Sequence, residues 1–350
     1  MVSRSATLAL GSAVLFGAST PFAKFLLGSG TDPWLLAALL YLGSGAGLSI
    51  TSVVGRRSDG VAQEAPLRRA DVPRLAAVIL LGGIVGPVLL MVGLSRTAAS
   101  TAALLLNLEG VATLCIAWIV FRENVDRRIL LGALSILGGA GLLSWSGGVT
   151  PVGLGALWIA GACLAWGIDN NLTRGLSGAD PVQIAAAKGV IAGGVNLLLA
   201  LAQGASLPPL GDIAGALMIG LFGYGLSLVM FVLALRHLGS ARTGAYFSTA
   251  PFIGAVLAVA MFGEPLTIRL TVAAVLMGIG VWLHLVERHD HDHVHEAIKH
   301  EHRHIHDEHH QHAHEPTDPP GEPHTHWHRH EPFTHSHAHY PDLHHRHRHG

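Results

Sequence analysis

The sequence predicts an all-α polytopic membrane protein with ten transmembrane helices, arranged as two inverted five-helix repeats. Three observations lead to this fold class. Half of the 350 residues are hydrophobic, only 13% are Asp, Glu, Lys or Arg, and glycine reaches 43, which is unusual for a soluble domain. Ten apolar runs are long enough to cross a bilayer. The framework of the first five runs returns in the last five.

Each run holds roughly the 20 mainly apolar residues that a spanning helix needs. The first run follows only Arg4, and no small-residue cleavage site comes before Pro21, so it is predicted to be a retained span and not a signal peptide. Short connections separate the runs, and the longest extends from Arg56 to Arg74. The predicted spans are about 6–27, 33–54, 74–94, 97–120, 128–146, 152–174, 181–202, 212–235, 240–262 and 268–286.

The two halves match along nearly the whole apolar region. The aligned motifs are Phe16-Gly17 with Trp166-Gly167 at an offset of 150 residues, Asp32-Pro33 with Asp180-Pro181 at 148, and Phe121-Arg122-Glu123 with Phe262-Gly263-Glu264 at 141. Because five is an odd number, the second half must enter the membrane in the opposite sense. Inverted repeats of this kind are typical of secondary transporters, whose site lies near the midplane between the halves.

Arginines in the connections predict the orientation, since cytoplasmic loops carry an excess of positive charge. With the N-terminus in the cytoplasm, the outward loops hold only Arg96 and Arg269. Both termini are therefore expected in the cytoplasm, as in a bacterial inner-membrane protein. The inward loops hold Arg56, Arg57, Arg68, Arg69, Arg74, Arg122, Arg127, Arg128, Arg174, Arg236 and Arg242.

The duplicated framework resembles the drug/metabolite transporter superfamily, EamA type, over residues 6 to about 287. The resemblance rests on the two five-span repeats, on the paired F-x-E endings of spans four and nine, and on Pro251 in span nine. It implies an inner-membrane carrier, often an exporter, of small organic solutes such as amino acids or metabolites. Two features depart from the family pattern: Glu109 stands beside Gly110, where the second half has Pro251, and a histidine-rich tail follows the last span.

Ionisable residues inside the apolar runs are the first candidates for a substrate site, because charge is costly in a membrane. Glu109 lies near the middle of span four, Lys188 near the middle of span seven, and Asp169 in span six. We expect Lys188 to pair with Glu109 or with Asp169 across a central cavity. The alternative is an ion pair that only holds helices together.

The polar triplet Asp169, Asn170 and Asn171 is the second candidate. Consecutive helical residues point about 100° apart, so three polar neighbours cannot all face one side of a helix. We therefore predict a local break in span six, matched in span one at Ser19, Thr20 and Pro21, since paired interruptions indicate transporter sites. The alternative is that the asparagines bond neighbouring helices. Asn107, Asn196 and Trp166 are weaker candidates for the same site.

The tail holds 23 of the 25 histidines and few residues that could build a core, so its composition predicts disorder. Neutral imidazole is a ligand for Zn, Ni, Co and Cu, and alternating histidines lie on one face of an extended chain. The candidate ligands are His289, His291, His293, His295, His300, His302, His304, His306, His324, His326, His328 and His330. The predicted domains are a first repeat (1–147), a second repeat (148–288) and the His-rich tail (289–350).

Three functions are compatible with these features. The first is a carrier of small organic solutes, working by alternating access of the two repeats. The second is a divalent metal exporter of Zn, Ni or Co fed by the tail, although no histidine lies at mid-depth in the membrane. The third is a membrane-anchored metal sensor or store.

Nothing in the sequence indicates an enzyme. The chain has no Walker motif, so gradient-coupled transport or exchange is expected. No cofactor is required beyond the metal that the tail could bind. The expected partners are the lipid bilayer, a small-molecule substrate and metal ions, with no nucleic acid, and a homodimer is left open.

Overall fold

The computed structural model describes residues 2–55, 67–121, 127–145, 153–176, 179–285, 290–294, 298–304, 324–330 and 334–338. Within these ranges the membrane region is built from helices. The first repeat contains α1 (Val2–Gly28), α2 (Pro33–Gly55), α3 (Val72–Val78), α4 (Gly86–Ser95), α5 (Ala99–Leu105), α6 (Leu108–Phe121) and α7 (Arg127–Ser144). The second repeat contains α8 (Leu154–Arg174), α9 (Pro181–Ala202), α10 (Leu210–Ile219), α11 (Ser227–Phe247), α12 (Ala250–Phe262) and α13 (Ile268–Leu285).

Seven stretches of the described helices are long and apolar enough to cross a membrane, which confirms the polytopic membrane fold. Two shorter apolar helices, Ala250–Phe262 and Ile268–His284, follow them. The total of ten spans stays a prediction. The seven stretches are Ser5–Gly28, Pro33–Ile50, Arg69–Ser95, Ala99–Val120, Arg127–Ser144, Pro181–Ala202 and Leu210–Phe231.

The aligned Asp-Pro motifs begin equivalent helices. The Asp32 carboxylate accepts hydrogen bonds from the backbone N–H groups of Trp34 and Leu35, at 2.9 and 3.0 Å, before α2. The Asp180 carboxylate accepts a hydrogen bond from the backbone N–H of Val182, at 2.9 Å, before α9. In both cases proline follows as the first helical residue, where its missing N–H has no cost.

The two repeats are interleaved, because helices of each repeat pack against helices of the other. Helix α1 of the first repeat lies against α11 and α12 of the second, and α8 of the second lies against α4 and α6 of the first. The remaining large contacts join α2 to α9 and α7 to α13. Glycines allow the close approach of α2 and α9, because a Cβ added at Gly189 would meet the backbone of Gly45. The site between the repeats is therefore lined by both halves of the chain.

Both repeats depart from regular helix at equivalent positions. A π-helical segment, Ile79–Val85, joins α3 to α4, and its counterpart, Gly220–Leu226, joins α10 to α11 at an offset of 141 residues. The fourth span of each repeat is also interrupted by a turn, at 106–107 between α5 and α6 and at 248–249 between α11 and α12. These paired irregularities are the kind of feature that marks transporter sites.

The predicted interruptions in spans one and six are wrong. Helix α1 continues through Pro21 to Gly28, and α8 is continuous from Leu154 to Arg174. The predicted boundary between spans eight and nine, at 236–239, is also wrong, because α11 continues through it to Phe247. Hydropathy does not locate such a break, since a polar stretch can continue a helix when neighbouring helices satisfy its side chains.

The described parts of the tail form four strands, β1 (Asp290–Val294), β2 (Ile298–His304), β3 (His324–His330) and β4 (Thr334–Ala338). Strand β1 pairs with β4 and β2 with β3, both antiparallel. The alternation of histidine with other residues has the period of a strand. Disorder of the tail as a whole stays a prediction. The register places His302 opposite His326.

Candidate functional site

A proline shapes the first part of the site. Pro87 has no backbone N–H, so it cannot donate to the carbonyl four residues earlier, at Gly83, or five residues earlier, at Gly82. Side chains from other spans satisfy these two carbonyls. The Tyr41 hydroxyl donates to the Gly82 carbonyl at 2.6 Å. The remaining donors are Trp166 Nε1 to Gly82, at 3.0 Å, and Asn196 Nδ2 to Gly83, at 3.2 Å.

A buried ion pair lies against this π-helical segment. Lys188 Nζ contacts Asp169 Oδ2, so the structure selects Asp169 from the two partners considered for this lysine. Thr173 Oγ1 donates to the other carboxylate oxygen of Asp169 at 3.1 Å. A Cβ added at Gly82 would overlap the Asp169 carboxylate and approach the Lys188 ammonium. The glycine therefore lets a charged pair of the second repeat pack against the backbone of the first.

A second polar group joins the two repeats at Glu109. Asn170 Nδ2 donates to Glu109 Oε1 at 2.8 Å and lies 3.3 Å from Thr113 Oγ1. Thr113 in turn donates to the Glu109 carbonyl, at 2.9 Å. Glu109 also lies within electrostatic reach of Asp169 and Lys188. The carboxylate is half-buried and the Asn170 amide is exposed, so both groups remain reachable.

The continuous α8 satisfies its polar triplet without unwinding. Asp169 points to Lys188, Asn170 points to Glu109, and Asn171 Nδ2 donates to the carbonyls of Gly167, at 2.8 Å, and Thr113, at 3.1 Å. Two sides of the helix are therefore used, one toward α9 and one toward α6. This is the physical reason why the predicted break is absent.

Asn107 has a different place from the other predicted residues. It occupies the turn between α5 and α6, is 6% exposed, and donates to the Leu104 carbonyl at 2.9 Å. Its amide also lies 3.9 Å from Met277 Sδ. None of the hydrogen bonds described for Asn107 joins it to Glu109 or to the ion pair.

The site is asymmetric between the repeats. The 150-residue offset places Ser19 at the position of Asp169 and Phe16 at that of Trp166. Gly223 corresponds to Gly82, and a Cβ added there would lie 2.6 Å from Ser19 Cβ. The same backbone arrangement thus occurs twice, but only one copy carries charge.

Sequence reasoning missed four contributors to the site, Tyr41, Gly82, Thr113 and Thr173. Asn196 was only a weak candidate, yet it is fully buried and bonds to the Gly83 carbonyl. The spacing of Gly82 and Gly83 before Pro87 was a usable signal, because it identifies two carbonyls that a proline deprives of donors. The partners of those carbonyls come from α2, α8 and α9.

Nine of the twelve predicted metal ligands of the tail lie in β1, β2 and β3. The other three, His289, His295 and His306, lie outside the described residues. Where side chains are described, no group of three His, Cys, Asp or Glu is arranged to hold a metal ion. Metal binding by the tail stays a prediction.

Known proteins are similar to large parts of this chain. The sequence model of the EamA-like transporter family matches residues 3–145 and 153–286. A Methanothermobacter thermautotrophicus protein described as an uncharacterized transporter is 27% identical over 287 residues, covering 77% of this chain and 82% of the relative. An uncharacterized Pseudomonas aeruginosa protein is 35% identical over 188 residues, covering 53% of this chain and 65% of the relative.

One solved crystal structure has a similar fold. It superposes with a TM-score of 0.61 at 19% identity and covers 81% of this chain and 98% of its own.

Proposed function

Because the chain belongs to the EamA-like transporter family and is a multi-pass membrane transporter, we propose that it is a secondary carrier of small organic solutes. Its two repeats would expose the site alternately to the two sides of the membrane. The observation that carries this proposal is the meeting of Glu109 from the first repeat with Asn170 from the second, beside the Asp169–Lys188 pair.

The chemistry of this site suits an organic solute. Carboxylate, amide and hydroxyl groups meet at Glu109, Asn170 and Thr113, and apolar side chains of the surrounding helices flank them, so a ligand with one polar end and one apolar body would have partners for both. A structural ion pair alone would not need the reachable groups at Glu109 and Asn170. The same proposal includes both termini in the cytoplasm, which the arginine distribution supports, and the bacterial inner membrane, which the family resemblance implies.

The test is a flux assay with the purified full-length chain in liposomes. The panel contains amino acids, amines and organic acids, and separately Zn(II), Ni(II) and Co(II). We expect saturable flux of at least one organic solute. Movement of the metals without any organic solute would overturn the proposal in favour of metal export, and absence of all flux would favour a sensor or store.

A lysine substitution links the flux to the site. Lys188→Met removes the partner of the buried Asp169 carboxylate and is expected to reduce flux at least about tenfold, the size expected for loss of an interaction with a charged group. Because Lys188→Met leaves a buried charge unpaired, its folded yield is also expected to fall. The double variant Lys188→Met/Asp169→Asn removes both charges and should restore the folded yield, but not the flux. Lys24→Met is the matched control, because Lys24 donates to the Leu94 carbonyl, at 2.7 Å, at the end of α4.

A further inference from the structure

The formal charges of the three ionisable groups of the site do not sum to zero. Lys188 and Asp169 form one ion pair, and the Glu109 carboxylate remains. Among the described residues Glu109 makes no ion pair, and its side chain accepts a hydrogen bond only from the neutral amide of Asn170. The site therefore has a formal charge of about −1 when all three groups are ionised. A negative charge inside a membrane region is costly unless a proton or a cation neutralises it.

The two carboxylates differ in how fully they are satisfied. Asp169 is 4% exposed and is contacted by Lys188 and by the Thr173 hydroxyl. Glu109 is only half-buried, and Lys188, which Asp169 already holds, is the only positive charge near it among the residues that the structure describes. A ligand that approaches the site thus meets an unpaired carboxylate and a neutralised lysine.

Aromatic rings lie beside the ion pair. The Tyr41 hydroxyl donates to the carbonyl of Gly82, against which Asp169 and Lys188 pack, and the Tyr41 and Tyr224 ring centroids lie 5.6 Å apart. Phe16 extends this cluster, with its ring centroid 5.9 Å from that of Tyr224. Aromatic faces attract cations through their quadrupole and also contact apolar groups. An anionic group gains nothing from the electrostatics of the ring faces.

We propose that the site selects organic ammonium ions, with the ammonium group at Glu109 and Asn170 and the apolar body against the half-buried rings of Phe16 and Tyr224. The inference rests on the proposed carrier function and narrows its substrate class. A free amino acid is a poorer fit than the matching amine, because its carboxylate would have to compete with Asp169 for Lys188. A neutral amide or an organic acid brings no positive charge that could pair with Glu109.

The test compares compounds that share an apolar body and differ in the charge of their polar group. The aromatic set is phenethylamine, N-acetylphenethylamine, 3-phenylpropionate and phenylalanine, and the aliphatic set is butylamine, N-acetylbutylamine and valerate. Binding to the detergent-purified full chain is measured by isothermal titration calorimetry. We expect at least one amine to bind about tenfold or more tightly than its neutral and anionic partners. If no amine binds more tightly than its neutral partner, the inference is overturned.

Variants assign the preference to one carboxylate. Glu109→Gln is expected to abolish the preference for ammonium, whereas Glu109→Asp keeps the charge and should retain part of it. Glu264→Gln makes the same chemical change outside the site and should leave the preference intact. Retention of the wild-type preference in Glu109→Gln would contradict the assignment. If Glu109→Gln does not elute as a folded protein, the affinity ratios of amine to neutral partner in the wild type and in Glu109→Asp still test the inference.

The flux assay separates this inference from the carrier function. Transport of amino acids or organic acids without preference for amines would overturn the ammonium inference and leave the carrier intact. Failure of every organic solute to move would overturn the carrier function itself.

Discussion

Gly82 shows how one small residue allows two charges to pack inside the membrane region. The Asp169 carboxylate and the Lys188 ammonium occupy the space that a side chain at this position would fill. The Gly82 carbonyl, in turn, accepts hydrogen bonds from Tyr41 and Trp166. One residue of the first repeat therefore contacts three functional groups from α8 and α9 and a fourth from α2.

Gly82→Ala is expected to destabilise the protein by about 1–3 kcal/mol, the usual cost of overpacking, and to reduce flux because the ion pair must move. Gly194→Ala is the matched control, since nothing lies within 4 Å of a Cβ added there. That change should be neutral or stabilise by up to about 1 kcal/mol. Melting temperatures in detergent report both effects. Equal melting temperatures for the two variants would contradict the close contact at Gly82.

The sequence predicted Lys188, Asp169 and Glu109 as candidates because charge in an apolar run is rare. It left the partner of Lys188 open, because Asp169 lies in the preceding span of the same repeat and Glu109 lies in the other repeat. Which carboxylate comes within reach depends on how α8 and α9 are rotated against the π-helical segment. That rotation is a property of packing and not of local sequence.

Among the helices, the π-helical segment Ile79–Val85 positions the site. It precedes Pro87, and Gly86 N–H bonds to the Leu81 carbonyl, five residues earlier. The extra residue in this turn lets the carbonyls of Gly82 and Gly83 turn to the side chains of neighbouring helices. Local irregularity is tolerated in membranes only where other groups satisfy the freed backbone, as Tyr41, Trp166 and Asn196 do.

Pro87→Ala is expected to preserve or raise the melting temperature, since proline is about 3 kcal/mol less favourable than alanine inside a helix. Flux should fall, because the restored N–H at position 87 would compete for the Gly83 or Gly82 carbonyl and relax the segment toward α-helix. Pro209→Ala, just before α10, is the control and should leave flux unchanged. Undiminished flux in Pro87→Ala would show that the π-helical segment is not needed for transport.

Glu264 has a structural role that crosses the repeats. After the end of α12 it accepts hydrogen bonds from the N–H groups of Ala99, at 2.7 Å, and Ser100, at 3.0 Å, and from the Ser100 hydroxyl. These N–H groups belong to the first turn of α5, where no intrahelical partner exists. The second F-x-E ending therefore ties the end of span nine to the start of span four.

Glu264→Ala is expected to lower stability by about 1–3 kcal/mol, because it leaves buried donors unpaired. Glu264→Gln retains one acceptor oxygen and should lose less. Thermal unfolding in detergent measures both variants. A Glu264→Ala protein as stable as the wild type would mean that water replaces the carboxylate.

At the scale of the whole molecule, the two repeats are interleaved and not merely adjacent. The pairing of α1 with α11 and α12 has its counterpart in the pairing of α8 with α4 and α6. Any movement that opens the site on one side must therefore slide helices of different repeats past one another. The aligned glycines at these contacts permit such close surfaces.

The orientation can be tested with fusions. Green fluorescent protein fused after Gly350 is expected to fluoresce in a bacterial host, because the arginine-rich loops predict a cytoplasmic C-terminus. Alkaline phosphatase fused after Ala205, between α9 and α10, is expected to be active. The reverse pattern would invert the proposed topology and leave the repeat structure unaffected.

The tail can be separated from the carrier by truncation after Arg288. We expect the truncated protein to lose most of its bound Zn(II) or Ni(II), measured by mass spectrometry after dialysis, because 23 of the 25 histidines are removed. Flux of the organic substrate should remain. Metal tolerance that depends on the tail and on Lys188 together would instead support the metal-export alternative.

The sequence by itself determined the membrane fold, the repeat and the family, because hydropathy, Asp-Pro helix starts and duplicated motifs are recorded along the chain. It also singled out Glu109, Asp169 and Lys188, since a buried charge is conspicuous wherever it lies. Only the tertiary structure decided where the helices are irregular and which groups meet. A missing N–H at Pro87 can kink, unwind or do nothing, and the outcome depends on whether another helix offers donors such as Tyr41 and Trp166.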